Sequence, residues 1–230
     1  EEGDWIVNPR GGRWHSDSIS PDVADTTFYL TVQSELNGDM LVLPERSTLK
    51  VLSPLVLLDR CELWLGEVKG AGIIIRGNNN LLRSGTFRNC ECGVLIDGGS
   101  GNRILCKFDG NSKGIEVRGG AKSNRISGAF LNNDVGVHIH GSGTKGNVVE
   151  GRVARSRKEG IIISDGAGFN TVYADVESCG TDGILITGRG TKYNSVKGRV
   201  KYNRGNGVHI AGGAENNRVG IPRWNEGNHG

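Results

Sequence analysis

Gly93-Val94-Leu95-Ile96-Asp97-Gly98-Gly99-Ser100-Gly101-Asn102-Arg103-Ile104-Leu105-Cys106-Lys107-Phe108 is the stretch that decides the fold. It reads as a short strand opened by glycine, a glycine-rich turn closed by asparagine, and a second strand. The opening glycine returns at Gly72, Gly93, Gly114, Gly136, Gly160, Gly183 and Gly207, every 21 to 24 residues. The asparagine returns at Asn80, Asn102, Asn124, Asn147, Asn170, Asn194 and Asn217, 8 to 11 residues after its glycine. Self-similarity at this period is the signature of a solenoid, in which each unit buries its apolar face only against its neighbours.

Side chains in a strand alternate between faces. The inward columns are therefore Val94, Ile115, Val137, Ile161, Ile184, Val208 and Ile96, Val117, Ile139, Ile163, Ile186, Ile210. After the asparagine, Ile104, Ile126, Val149, Val172, Val196, Val219 form one inward column and Phe87, Phe108, Phe130, Val153, Val176, Val200 another. Between those two columns stand Cys106, Gly128, Gly151, Ala174 and Gly198, small enough for a narrow interior. The asparagines fall in register, and stacked carboxamides can hydrogen-bond from coil to coil as a ladder. Period-two apolar spacing broken by glycine excludes helices in this region. The 38 glycines are periodic, not low-complexity, and are expected to mark turns needing positive φ.

Upstream the pattern changes. Pro21 to Gly38 carries Phe28, Val32 and Leu36 at helical spacing and ends in Asn37-Gly38, which predicts a capping helix over the open edge of the stack. Residues 1–38 are thus expected to be an N-terminal extension and cap, continuous with a β-helix over 39–230. Leu41/Leu43, Leu49/Val51, Leu55/Leu57 and Leu63/Leu65 read as less regular early coils.

The glycine-x-aliphatic strand, the asparagine and the coil length resemble the right-handed parallel β-helix repeats of the pectate-lyase superfamily, of the carbohydrate-binding and sugar-hydrolase type. The opening Asn37-Gly38-Asp39-Met40-Leu41-Val42-Leu43-Pro44 is similar too. The resemblance covers about residues 39–220. It implies an all-β, single-stranded right-handed solenoid, a polysaccharide partner, and an extracellular, cell-surface or virion-surface location. The calcium-binding aspartate cluster of pectate lyases and the Asp-Pro-His type signature of alginate epimerases are both absent, so no cofactor is expected and calcium has no ligand cluster in the sequence.

There is no apolar run of membrane-spanning length. With 28 lysines and arginines against 25 carboxylates, the net charge of +3 is small, and outward charges of both signs alternate, which argues against a nucleic-acid track. Self-association or end-to-end stacking is compatible with the aliphatic outward positions. Cys61, Cys90, Cys92, Cys106 and Cys179 are odd in number, and only Cys90-x-Cys92 is short-spaced, so packing, or at most one disulfide, is expected and no metal site.

Chemistry is expected where the repeat breaks its own habit. The outward columns of the first strand are Ile74, Leu95, Glu116, His138, Ile162, Leu185, His209 and Arg76, Asp97, Arg118, His140, Ser164, Thr187, Ala211. Glu116, Arg118, His138, His140 and Asp97 form a polar island on an aliphatic strip, with Arg76, Leu95 and Ile162 as substrate-binding candidates. A uronate lyase or epimerase needs a cation for the sugar carboxylate, a base for the C5 proton and an acid, which Arg118 or Arg76, His138 and His140 supply. An inverting hydrolase is the runner-up enzyme, with Asp97 and Glu116 about 8 Å apart from strand spacings, inside the roughly 6.5–9.5 Å expected. The non-catalytic alternative is a structural or adhesive β-helix in which the same charges solubilise one face. Tyr173, Tyr193 and Tyr202 are sugar-stacking candidates on another face.

Overall fold

The computed structural model describes residues 5–6, 12–13, 27–43, 47–220 and 227–229. Among them the chain is an all-β parallel solenoid without helix, whose strands form a 14-stranded and a 10-stranded sheet. Strands of the repeat alternate between the two. Cys92–Asp97, Lys113–Arg118, Val135–His140, Ile161–Ser164, Ile184–Thr187 and Val208–Ala211 run side by side in the 10-stranded sheet. Arg103–Asp109, Arg125–Leu131, Val148–Ala154 and Thr171–Glu177 do so in the larger one.

The register is the one the sequence columns demand. Val94 pairs with Ile115, Ile115 with Val137, Val137 with Ile161 and Ile161 with Ile184. These residues are fully buried, as are Ile96, Val117, Ile139, Ile163 and Ile186. In the facing sheet Phe87, Phe108 and Phe130 stack at centroid separations of 5.2 and 5.0 Å, before valine takes over at Val153, Val176 and Val200. In the aliphatic columns only the last coil departs, Val208 being half-buried and Ile210 and Val219 exposed; of the small residues expected inside, Cys106 and Ala174 are buried, Gly128 and Gly198 half-buried and Gly151 exposed.

The ladder closes along the whole repeat. Each Nδ2 donates to the Oδ1 of the next asparagine, from Asn80 to Asn102 at 2.9 Å, Asn102 to Asn124 at 2.8 Å, Asn124 to Asn147 at 2.8 Å and Asn147 to Asn170 at 2.9 Å. It continues through Asn194 to Asn217 at 3.1 and 3.0 Å. A second ladder that the sequence reading did not anticipate lies at the opposite turn, where Asn111 donates to Asn133 at 2.9 Å and Asn203 to Asn228 at 2.8 Å. Ser156 and Cys179 interrupt it, and Ser156 is, among the described residues, the one buried side chain with a nitrogen or oxygen that lacks a partner.

Two expectations are corrected. The stretch expected to form a capping helix is instead two strands, Thr27–Leu30 and Ser34–Leu36, with Phe28, Leu30, Ser34 and Leu36 buried at period two. Thr27–Leu30 pairs with Thr48–Val51, so its residues share the larger sheet with the coils that follow. The β-branched and aromatic residues prefer the pleated surface, and Asn37-Gly38 is a turn between strands, with Gly38 at φ 79°. Residues 21–26 of that stretch lie outside the described residues. The second correction concerns the repeating glycine. Gly93, Gly114, Gly136, Gly160 and Gly183 do not have positive φ. They are glycine because coils close tightly there: a Cβ on Gly114 would stand 2.5 Å from the Gly136 carbonyl oxygen, and one on Gly136 2.6 Å from Val153 Cγ1.

The early leucine pairs are buried as expected. All five cysteines are free, and Cys61, Cys90, Cys106 and Cys179 are buried. Burial pushes the Cys90 and Cys179 thiols up to about 11 and that of Cys106 to about 12, so these groups behave as small hydrophobes. No helix among the described residues is long and apolar enough to cross a membrane.

Candidate active site

The outward columns meet in register on the 10-stranded sheet. Leu95 pairs with Glu116, Glu116 with His138 and His138 with Ile162, while Asp97 pairs with Arg118 and His140 with Ser164. Strand pairing alone therefore gathers Asp97, Glu116, Arg118, His138 and His140 on three neighbouring strands.

Glu116 is the centre of the group. It is only 6% exposed, and a carboxylate buried that far needs charged partners. Lys113 Nζ donates to Oε2 at 2.7 Å, and His140 Nε2 lies 2.7 Å from Oε1. Arg118 Nη1 stands 3.5 Å from the same Oε1, while its Nε is 3.5 Å from Asp97 Oδ1. Burial works to raise the Glu116 pKa, but the hydrogen bonds from Lys113 and His140 outweigh it and hold the carboxyl below its ordinary value, ionised.

His138 is half-buried and stacks on His140, with ring centroids 4.3 Å apart. Its Nε2 is 3.1 Å from Ser164 Oγ, which donates to Asp165 Oδ2 at 2.8 Å. Burial first, and then the positive charges of His140 and Lys113, depress its pKa to about 4, so the imidazole is neutral at pH 7. With the Ser164 proton directed at Asp165, Nε2–H becomes the donor to Ser164 and Nδ1 keeps the lone pair, a tautomer assigned from the hydrogen-bond network. The site thus combines a neutral imidazole, a carboxylate-held imidazole and two cations. Glu116, His138 and His140 also offer ligand-type atoms that all lie within 4.8 Å of one another.

Leu95 and Ile162 flank this group as half-buried aliphatics in the Glu116–His138 column. Arg76 is exposed just beyond its strand Ile73–Ile75 and is not drawn into the cluster. His209, three strands from His138, pairs separately with Asp182 at 2.8 Å. Tyr173 lies on the other sheet, and Tyr193 and Tyr202 are exposed outside the strands.

Sequence reasoning missed Lys113, Ser164 as a partner of His138, and Asp165. Strict alternation gives Lys113 the inward parity of Ile115 and Val117, yet at the strand's first residue its side chain is half-buried and turns back to Glu116. Ser164 stands in the expected outward column, but nothing in its spacing signals the contact to a histidine one strand away.

The family model described as right handed beta helix region matches residues 71–220. A comparison with curated proteins finds no match. Among solved structures, a mutant of the periplasmic alginate epimerase AlgG superposes with a TM-score of 0.56 at 11% identity, covering 84% of this chain and 58% of that one. The chain therefore spans little over half the length of that relative. The Azotobacter vinelandii mannuronan C-5 epimerase AlgE4 A-module gives 0.33 at 10% identity, covering 89% of this chain and 91% of that one. The catalytic domain of a GH87 α-1,3-glucanase in complex with nigerose gives 0.25 at 8%, covering 94% and 69%. At 11% identity the likeness to the AlgG structure is one of fold.

Proposed function

The chain belongs to the right-handed β-helix family, and from that premise we propose that it acts on an acidic polysaccharide, by β-elimination or C5 epimerisation, at the outer face of its 10-stranded sheet. The observation that carries this reading is the stacked pair His138 and His140, one neutral and the other 2.7 Å from a buried carboxylate.

A uronate's C5 proton becomes removable once its carboxylate is neutralised. Arg118, exposed enough to reach a ligand and otherwise shared between Asp97 and Glu116, supplies that charge, with Lys113 behind it. Neutral His138 accepts the proton, its depressed pKa leaving the lone pair free throughout the neutral range at the expense of basicity. His140, oriented by Glu116, delivers a proton to the glycosidic oxygen at C4 as that bond breaks and the C4–C5 double bond forms. Both rings stand on one face of one sheet and approach the sugar from the same side. This favours elimination of a C5 proton and a C4 oxygen that are cis, over epimerisation, which needs a proton from the opposite face. Leu95 and Ile162 offer apolar surface to the ring faces of neighbouring sugars. A polymeric substrate fits a protein working outside the cytoplasm or on a cell or virion surface.

Inverting hydrolysis is weaker on the same geometry. A general acid needs a raised pKa, whereas Glu116 is held down by Lys113 and His140. The ion pairs of Arg118 with both Asp97 and Glu116 favour one other reading, a non-catalytic surface or adhesive module in which this ladder keeps strands in register.

The test is turnover on alginate, pectate and glycosaminoglycan polymers, read by ultraviolet absorbance of the unsaturated product and by deuterium incorporation at C5 in heavy water. Wild type should give product and His138→Ala none, with the fold intact because the side chain points outward. Absence of both signals from wild type on every polymer overturns the enzymatic reading in favour of the adhesive one.

A further inference from the structure

We propose that Glu116, His138 and His140 form a binding site for one divalent transition-metal ion of the zinc type. Two imidazoles and one carboxylate make the donor set, and their candidate ligand atoms lie within 4.8 Å of one another. Ligands around a tetrahedral zinc, at bond lengths near 2.0–2.2 Å, stand about 3.3–3.6 Å apart. The cluster therefore needs side-chain adjustments of about 1 Å, with no movement of the strands. The 2.7 Å contact between His140 Nε2 and Glu116 Oε1 is the hydrogen bond whose proton the ion replaces.

The supporting groups have the arrangement expected around metal ligands. Lys113 holds Glu116 by Oε2 and leaves Oε1 directed at His140. Ser164, backed by Asp165, orients the His138 ring. The ligands stand on two paired strands, Lys113–Arg118 and Val135–His140, with Glu116 opposite His138, so the scaffold is rigid. Lys113 and Arg118 oppose a cation, Arg118 Nη1 standing 3.5 Å from Glu116 Oε1, but Asp97 shares the Arg118 charge at 3.5 Å and Asp165 adds a negative charge beyond Ser164. The donor chemistry also selects the ion. Calcium and magnesium take six or more oxygens, whereas two imidazoles with one carboxylate suit zinc, iron(II), cobalt or nickel.

This site stands whether or not the chain turns over a polymer. The ion and the proton transfers use the same imidazoles, so a bound ion withdraws His138 and His140 from acid–base work. Metal binding is measured without substrate, and its failure leaves the catalytic reading untouched.

The experiment is calorimetric titration of the chelator-treated full chain with zinc chloride, together with visible absorption on titration with cobalt(II). One equivalent bound at micromolar affinity or tighter, with cobalt bands of a four- or five-coordinate centre, is expected. His138→Ala, His140→Ala and Glu116→Gln should each weaken binding by about tenfold or more, while Cys92→Ser, which removes a half-buried thiol beside Glu116, should leave it unchanged. Circular dichroism melts of each variant without metal check the fold, and His140→Gln replaces any variant that fails. No saturable binding by wild type overturns the proposal. So does binding that survives all three substitutions or is lost with Cys92 alone.

Discussion

Asn147→Ala removes one rung from the interior of the first ladder, and the structure says what is orphaned. Asn147 Oδ1 accepts from Asn124 N at 3.1 Å and from Asn124 Nδ2 at 2.8 Å. Its own Nδ2 donates to Ala121 O at 3.0 Å and Asn170 Oδ1 at 2.9 Å. Those two acceptors keep other donors, since Lys145 N still reaches Ala121 O and Asn147 N still reaches Asn170 Oδ1. The Asn124 backbone N–H and one proton of its amide keep nothing, and Asn124 is 1% exposed. At about 1–3 kcal/mol for each buried unsatisfied donor, the variant should lose about 2–6 kcal/mol. Asn217→Ala orphans the same two donors on Asn194, which is as buried as Asn124, but removing the half-buried Asn217 side chain at the end of the ladder opens that space to water that can accept from both, so it should cost about 1 kcal/mol or less. Urea denaturation gives the free energies, and hydrogen exchange reports whether the amide of Asn124 opens. Equal losses in the two variants would refute the account of the ladder as a set of buried, mutually satisfied amides.

Gly136→Ala should destabilise by several kcal/mol, because its Cβ would meet Val153 Cγ1 at 2.6 Å and the Gly160 carbonyl at 2.7 Å; a thermal melt within a degree of wild type would contradict the close-approach reading. Ser156→Asn should stabilise by about 1 kcal/mol by giving the buried Asn133 side-chain amide, which donates to Phe108 O at 3.1 Å, a second acceptor and extending the second ladder by one rung as far as Cys179, as measured by the denaturation midpoint. His138, depressed from 6.5 to about 4 in the fold, should make wild type lose stability as pH falls from 6.5 towards 4, where the unfolded chain takes up the proton and the folded one does not. His138→Gln should flatten that segment of the stability–pH curve, and an unchanged slope would place the histidine in water.

The coil register was legible because two independent periods, two along a strand and one coil along the chain, constrain the same aliphatic residues. Val94, Ile115 and Val137 satisfy both. Residues 27–38 satisfy only one, since Phe28, Val32 and Leu36 also fit a helix, and only pairing with the coil containing Leu49 decides for the strand. The opening glycine was found for its spacing and misread in its cause, because a close approach between coils has no local signature that differs from a turn. The five residues of the polar island were legible as two adjacent outward columns that break habit on the same three strands. Lys113 and the Ser164–Asp165 relay were not, because their roles depend on side-chain reach across strands, which spacing does not encode.

Every rung of the first ladder passes its amide proton in one direction, from the earlier coil to the later. The stack is therefore a vector: aligned carboxamides polarise one another, and from side chain to side chain each turns its oxygen towards its predecessor and one amide proton towards its successor, the second proton returning to a backbone carbonyl of the preceding coil. A duplicated coil spliced in whole meets complementary groups on both sides. Two solenoids brought together head to head or tail to tail would set donor against donor or acceptor against acceptor along this column, so a lengthened assembly propagates only in the sense in which the chain itself winds.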